Sequence, residues 1–354
     1  QLAAFDLDWK YLLSLAGRHA LVPLLYNQLQ QHASELVPPG TMRELKHYYQ
    51  ENAARNILLA SELVRLISLL EKNDVEAIPY KGPALAVHAY GDLSLRQFVD
   101  LDFMVKRDDV LKARNLLLAE GYKSTRALNI EQQALLLRTQ HNMQFTNASG
   151  RLLLELHWEV ASHLFASSVN AADLWRSLGV IHLADKVVKT LSSDDLLFSL
   201  CVHGSRHLWE RLAWICDVGQ IIDNHSVDWP MLVARAELAD AERMFFLGLY
   251  LADNLLGASL PSQIRARIRQ DKVLRSLADR IIDRLFTGSA HIAANSRQIF
   301  HYNFFVRKSW RSRVRYFLYM LRPTDRDLST MALPSRFNFA YYLMRPLRLL
   351  QRHP

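Results

Sequence analysis

Hydrophobic and polar residues repeat at two different periods along the chain, and the period changes twice. Up to about residue 72, apolar residues recur at helical spacing, for example Leu63, Leu66, Ile67 and Leu70. Between residues 73 and 190, short runs with period-two alternation, typical of strands, are mixed with helical stretches. After residue 191 the spacing is helical again. The pattern predicts an α+β fold in which helical regions at both ends flank a small mixed-sheet core.

These changes suggest four regions. We expect an N-terminal helical region at 1–72, an α/β core at 73–190, a helical domain at 191–300 and a basic, aromatic C-terminal tail at 301–354.

The segment Phe98–Val105 alternates like a strand and carries two acids, Asp100 and Asp102. Side chains at i and i+2 of a strand share one face, so the two carboxylates can hold a divalent cation together. Val99, Leu101, Phe103 and Val105 are expected on the alternate, buried face. Two like charges emerging from such an apolar strand are costly unless a cation compensates them.

A second apolar strand, within the hairpin around residues 147–150, places Glu155 and His157 on one face. If this strand lies beside the first, Glu155 completes a three-carboxylate site, as a general base or as a metal ligand.

A predicted strand at Val75–Tyr80 is followed by Lys81-Gly82 and then by a helix that begins near Pro83. The start of a helix attracts anions, and glycine lets the backbone approach a phosphate closely. Lys81 adds a positive charge, and Arg96 is either a phosphate ligand or a surface loop residue. The sequence therefore predicts nucleotide binding by Lys81, Gly82 and Arg96.

Four segments taken together resemble a known family: Lys81-Gly82, Tyr90-Gly91-Asp92, Asp100-Leu-Asp102 and Leu154-Glu155-Leu-His157-Trp158. It is the poorly characterised bacterial nucleotidyltransferase family of the DNA polymerase β superfamily. The chain is similar, more distantly, to abortive-infection nucleotidyltransferase toxins. The resemblance is strongest over residues 75–160 and extends loosely through His203, Asp217 and the basic segment Arg345–Arg348.

By this resemblance, Asp100 and Asp102 would bind Mg²⁺, with Mn²⁺ as an alternative ion. Glu155 would be the third carboxylate, and Gly82 would sit in the turn that binds a nucleoside triphosphate. One departure concerns the residue after Gly82. The superfamily usually has serine or glycine there, whereas Pro83 lacks both the hydroxyl and the amide proton.

Two histidines, His203 and His207, are spaced i, i+4 on one helix face. A zinc site is one interpretation, but the glutamate of a zinc-protease motif is missing. We favour a role for His203, Arg206 or His207 in lining the substrate cleft, with His157 and His141 also facing the pocket. Packing of the helical domain is the alternative. Asp217 on the next helix would orient one of these histidines or pair with Arg211.

The net charge of +8 arises from the tail, since residues 301–354 hold eleven Arg and Lys against two acids. A near-neutral body makes a long nucleic-acid substrate less favoured. The tail's mixture of aromatic and basic residues suits an anionic membrane surface or nucleic acid. The favoured alternative is that its aromatic residues pack on the body while its arginines stay solvated.

Only two cysteines are present, Cys201 and Cys216, so we expect no disulfide framework and a reducing, cytoplasmic location. A peripheral position at the inner membrane face is an alternative, and we expect neither a signal peptide nor a membrane span. The expected function is Mg²⁺-dependent transfer of a nucleotidyl group to an unidentified protein, peptide or small-molecule acceptor. A phosphotransferase using a nucleoside triphosphate and an inactive nucleotide-binding module are the alternatives.

Overall fold

The computed structural model describes residues 7–125, 130–160, 171–287, 296–322 and 340. Its N-terminal half contains α1 (Trp9–Arg18), α2 (Val22–His32), α3 (Pro39–Lys72), β1 (Ala77–Pro79), α4 (Gly82–Tyr90), β2 (Asp100–Val105), α5 (Val110–Ala119), β3 (Lys123–Ser124), α6 (Ile130–Thr139), β4 (Asn142–Thr146) and β5 (Leu153–His157). Its C-terminal half contains α7 (Ala171–Leu174), β6 (Leu178–Leu183), β7 (Lys186–Leu191), α8 (Ser193–Arg206), α9 (Leu212–Asn224), α10 (Trp229–Leu238), α11 (Glu242–Leu256), α12 (Ser262–Gln270), α13 (Lys272–Phe286), α14 (Ser296–Phe305) and α15 (Trp310–Leu321).

A five-stranded mixed sheet forms the core, which confirms the predicted α+β class. Its strand order is β1-β2-β5-β4-β3. The pair β2–β5 is parallel, whereas the other neighbours run antiparallel. A second, two-stranded sheet made of β6 and β7 was not predicted from the sequence.

One face of the large sheet is apolar and packs on helix α3. Leu101, Phe103 and Val105 of β2 are fully buried there, as the alternation predicts, beside Leu66 and Leu70 of α3. The expected burial of Val99 is wrong: 59% of this residue is exposed, because the strand begins only at Asp100. Because side chains alternate along a strand, Asp100 and Asp102 of β2 lie on the opposite face of the sheet.

The opposite face meets the C-terminal helices. Ile78, Tyr80 and Met104 from the sheet share a buried cluster with Leu197 and Leu200 of α8. Because this core continues from the sheet into the helical region, the carboxylates of β2 lie in the cleft between the sheet and α8. The four-region division itself stays a prediction.

The described part of the C-terminal tail packs on the helical region. Tyr302 of α14 is buried and forms a 2.7 Å hydroxyl–hydroxyl hydrogen bond with Ser205 of α8. Arg307 is fully buried and lies 4.2 Å from the centre of the Tyr316 ring, while Arg315 pairs with Asp240. The expectation of solvated arginines is therefore wrong for Arg307, whereas Arg315 is ion-paired but partly exposed.

Residues 323–339 and 341–354, which include Arg345–Arg348, lie outside the described residues. Within the described part of the chain, no helix combines the length and the apolar character needed to cross a membrane.

Close packing fixes the turn that follows α8. Leu208 and Trp209 both adopt left-handed backbone conformations, with φ of 55° and 54°. Side chains other than glycine pay a steric cost in this region, so the surrounding contacts must hold the turn in place. The fully buried Trp209 ring supplies such contacts because it lies directly against Gly204 of α8 and Gly248 of α11.

We expect Gly204→Ala to destabilise the protein, because the added Cβ would overlap the Trp209 ring. Overpacking of this kind costs about 1–3 kcal/mol of the free energy of unfolding, measurable by urea denaturation. Gly17→Ala is the matched control, since Gly17 is exposed in α1 and a Cβ there meets nothing within 4 Å. The control should leave stability unchanged or raise it by up to about 1 kcal/mol. Equal effects of the two changes would contradict the packing argument.

Candidate metal and nucleotide site

A single cavity of about 730 Å³ brings together the residues predicted to bind the metal and the nucleotide and to line the substrate cleft. It lies between the sheet and the helices α8 and α9. The predicted residues that line it are Lys81, Gly82, Arg96, Asp100, Asp102, Glu155, His157, His203 and His207.

The turn between β1 and α4 requires glycine. Gly82 has φ of +53°, and a Cβ built on it would lie 3.0 Å from the carbonyl oxygen of Asp100. A side chain here would therefore face both backbone strain and a clash with β2. The close approach places the beginning of α4 directly beside the backbone of Asp100.

Asp102 is the most enclosed of the carboxylates, with 3% of the residue exposed. Its Oδ1 lies 3.3 Å from Nζ of Lys81 and 3.0 Å from Nε2 of His157. Burial alone would raise the pKa of Asp102, but Lys81 and the His157 hydrogen bond hold that pKa below its usual value. Asp102 is therefore an ionised, compensated carboxylate.

Glu155 lies beside Asp102, because parallel pairing of β2 with β5 puts the two residues in register. Its carboxylate oxygens accept hydrogen bonds from the side chains of Asn142, at 3.0 Å, and Gln144, at 2.7 Å. Nε2 of His157 is 3.1 Å away. Burial would raise the pKa of Glu155, yet His157, Gln144 and Lys81 lower it strongly. Such a carboxylate is a weak base and a good ligand for a cation.

Asp100 differs from the other two carboxylates. Although its backbone belongs to the β2–β5 ladder, its carboxylate has neither a hydrogen-bond nor an ion-pair partner among the described residues. Burial, reinforced by the negative charge of Asp102, raises the pKa of Asp100 from 3.8 to about 6. Lys81 and Arg96 act against this rise but do not cancel it, so Asp100 is the carboxylate whose charge the protein compensates least.

This donor set fits a divalent cation. One ligand atom each from Asp102, Glu155 and His157 lies within 4.8 Å of the others. Asp100 shares their sheet face, two residues from Asp102, and its charge would be balanced by an ion placed there. Carboxylate oxygens are the ligands that Mg²⁺ and Mn²⁺ prefer.

Arg96 lines the cavity, and its guanidinium is fixed by an ion pair with Asp217 of α9. Its Nε and Nη2 donate to the two carboxylate oxygens of Asp217, at 2.9 and 3.0 Å. Asp217 is fully buried and also accepts a 2.8 Å hydrogen bond from the Tyr90 hydroxyl. The expectation that Asp217 orients a histidine or pairs with Arg211 is therefore wrong.

Two buried amides on α3 hold the loop that carries Arg96. Asn52 and Asn56 each donate to the carbonyl oxygen of Arg96, at 3.3 and 2.8 Å. The loop between α4 and β2 is thereby fixed from the N-terminal helices, and Arg96 is fixed with it.

His203 and His207 form part of the wall that faces the carboxylates. Their rings lie 4.6 Å apart, and each contacts the ring of Trp214. Burial lowers the pKa of His203 far below its usual value and that of His207 to about 4. The zinc interpretation finds no support within the described ranges, where the one cluster of suitable ligands is that of Asp102, Glu155 and His157.

Several cavity residues were missed by the sequence interpretation. Asn142 and Gln144 alternate with buried Met143 and Phe145, so the period-two pattern of β4 could have placed them beside Glu155. Trp214 and Tyr319 also line the cavity. No local pattern marks either of them, because tertiary packing alone brings α9 and α15 to the site.

The site combines paired carboxylates on one strand, a third carboxylate in register beside them and a Lys-Gly turn at the start of a helix. This combination is typical of enzymes that transfer phosphorus-containing groups with divalent ions. Comparison with protein families agrees: the chain belongs to a family described as uncharacterised nucleotidyltransferase, whose model matches residues 6–257. Comparisons with curated proteins and with solved structures gave no match.

The contrast between Asp100 and Asp102 predicts opposite effects on the stability of metal-free protein. At pH 7.5, Asp100→Asn should raise the free energy of unfolding by about 1–3 kcal/mol, because it removes a poorly compensated buried charge. Asp102→Asn should lower it, because a charge paired with Lys81 and His157 is lost. Urea denaturation in the presence of a chelator measures both.

The pH dependence follows from the direction of each pKa shift. The pKa of Asp100 is raised from 3.8 to about 6, so its destabilising effect is complete above about pH 6 and disappears towards pH 4. The pKa of Asp102 is lowered, so its stabilising effect persists until the pH falls through that lowered value. At pH 5 the gain from Asp100→Asn should therefore shrink. A gain equal at both pH values, or a loss at pH 7.5, would contradict the assignment.

Proposed function

We propose that this protein is a Mg²⁺-dependent nucleotidyltransferase that moves a nucleoside monophosphate group from a nucleoside triphosphate to an acceptor. One observation carries the proposal: Asp100, Asp102 and Glu155 converge on one sheet face, beside the Lys81-Gly82 turn. Mn²⁺ is the alternative ion.

In the proposed reaction, an acceptor oxygen forms a bond to the α-phosphorus of the triphosphate. The bond from that phosphorus to the bridging oxygen breaks, pyrophosphate leaves and the acceptor's proton is released. A bound divalent ion supplies neutralisation of the phosphate charge and alignment of the attacking and leaving oxygens. The protein's own part is to position these groups.

Asp100, Asp102 and Glu155 are the proposed metal ligands. The low pKa of Glu155 and its two amide donors favour ligand over general base for this residue. Nε2 of His157 lies 3.0 Å from Asp102 and 3.1 Å from Glu155, which keeps the two carboxylates close enough to bind one ion. His157 is therefore a positioning residue in this scheme.

The proposed phosphate contacts are Lys81 and the start of α4 at Gly82. Lys81 Nζ lies 3.3 Å from Asp102, close enough to share phosphate oxygens with an ion held there. Arg96 faces the same cavity, but Asp217 neutralises its charge and takes two of its donors, so Arg96 can offer a phosphate only its remaining N–H groups.

We also propose membership of the DNA polymerase β superfamily. The order of parts along the chain supports it: a strand, the Lys-Gly turn, a helix, the Asp-x-Asp strand and then a third carboxylate on an adjacent strand. The relationship to abortive-infection toxins rests on the same motif order.

Asp102→Asn should reduce triphosphate turnover at least about a thousandfold, because the buried ligand oxygen and its charge are lost together. The measurement is release of labelled pyrophosphate, and mass spectrometry of the labelled product, after incubation with each of the four common nucleoside triphosphates and cell extract. Asp108→Asn is the control, because Asp108 is an exposed acid a few residues away and outside the cavity.

Unchanged turnover in Asp102→Asn would contradict the proposal. Binding of nucleotide with no labelled product in any extract would favour a nucleotide-binding module without activity. Transfer of the γ-phosphate alone would favour a phosphotransferase.

A further inference from the structure

The cavity wall opposite the carboxylates carries positive charge that the site described above does not use. Arg206 at the end of α8 and Arg211 just before α9 both line the cavity. Within the described ranges, neither guanidinium is paired with a carboxylate. Glu210 lies between them in sequence, is exposed, and forms no ion pair with either.

A neutral partner holds the Arg206 guanidinium. Its Nη1 lies 2.6 Å from Nε2 of His141, which is 3% exposed. Arginine can only donate hydrogen bonds, so this imidazole nitrogen must be the unprotonated acceptor. The contact therefore orients the guanidinium and leaves its full positive charge available. Arg211 similarly lies 5.9 Å from the centre of the Trp214 ring, a contact that does not neutralise it.

The sheet order places Arg206 on the far side of the carboxylates from the phosphate-binding turn. Lys81 and Gly82 follow β1, whereas His141 directly precedes β4. The strands β2 and β5, with Asp102 and Glu155, lie between β1 and β4. In phosphoryl-group transfer the attacking and leaving oxygens are roughly in line, on opposite sides of the phosphorus. With the leaving pyrophosphate at the Lys81-Gly82 turn, as in the proposed function, Arg206 is on the side from which an acceptor would attack.

From these observations we infer that Arg206 and Arg211 form an acceptor subsite for a phosphate group, so that the acceptor is a small hydroxyl compound that carries a phosphate. This rests on the proposed function. Guanidinium groups bind phosphate oxygens with two parallel hydrogen bonds, and two of them match the charge of a phosphate dianion better than that of a carboxylate. His141 is the positioning residue for Arg206.

The test separates the donor's triphosphate from the acceptor's phosphate. Wild-type protein is saturated with Mg²⁺ and an α,β-methylene nucleoside triphosphate, which cannot be cleaved at the reacting bond. Inorganic phosphate, and in a parallel arm acetate, is then titrated in by calorimetry. We expect phosphate to bind to this complex, and acetate to bind more weakly.

Arg206→Gln should weaken phosphate binding by roughly ten- to hundredfold, because a charge-assisted hydrogen bond is lost. The dissociation constant of the methylene analogue should change by less than about threefold. Arg211→Gln should act in the same direction, and it guards against misfolding because Arg211 is exposed. Arg269→Gln is the control: Arg269 is an exposed arginine of α12 outside the cavity, and its removal should change neither constant.

Three results would overturn the inference: no phosphate binding to the wild-type complex, tighter binding of acetate than of phosphate, or a comparable loss of analogue affinity in Arg206→Gln. The last would assign the arginines to the donor's triphosphate. If the analogue itself fails to bind with Mg²⁺, the proposed function fails. Phosphate titration of the protein alone, with the same variants, then still decides whether the arginine subsite exists.

Discussion

Mutual repulsion of three carboxylates on one sheet face is the constraint around which the site is organised. Two unit charges 4 Å apart repel by about 4 kcal/mol at the effective dielectric of a protein surface, which is a large share of a typical folding stability. Lys81 and His157 compensate Asp102, and two amides and His157 compensate Glu155. The Asp100 carboxylate has no hydrogen-bond or ion-pair partner among the described residues. A divalent ion bound there would balance its negative charge.

The fold serves this arrangement through a single strand pairing. Parallel pairing of β2 with β5 sets Asp102 directly beside Glu155, and β4 then presents Asn142 and Gln144 to the same face. Helix α3 closes the apolar face of the sheet, while α8 stands over the polar face. The strained turn at Leu208 and Trp209 ends α8 where His207 and Arg211 enter the cavity.

Local patterning predicted much of this site. Period-two alternation located both acidic strands, and the same parity placed Glu155 with the aspartates once the strands were taken as neighbours. The Arg96–Asp217 pair could not be predicted, since 121 residues separate its partners and only the packing of α9 joins them. The hairpin of β6 and β7 was missed because its turn uses Ala184, with φ of 53°, instead of the glycine or asparagine that usually marks such a turn. The burial of Arg307 was not predicted, because the packing of α15 against α14 supplies its partner, the Tyr316 ring.

The family comparison covers residues 6–257, yet the cavity also includes Tyr319 of α15. Tyr302 and Arg284 further support the end of α8, through Ser205 and the carbonyl oxygen of Leu208. The helices beyond residue 257 are thus part of the structure that surrounds the site.

The proposed function depends on a divalent ion held by Asp100 and Asp102. This ion is tested by titrating protein into Mn²⁺ without nucleotide and following the free ion by electron paramagnetic resonance, because a nucleoside triphosphate would itself remove free Mn²⁺. We expect wild-type protein to remove the free Mn²⁺ signal stoichiometrically, whereas the double variant Asp100→Asn, Asp102→Asn should not. Equal loss of signal with both proteins, or no loss with wild type, would contradict the proposal.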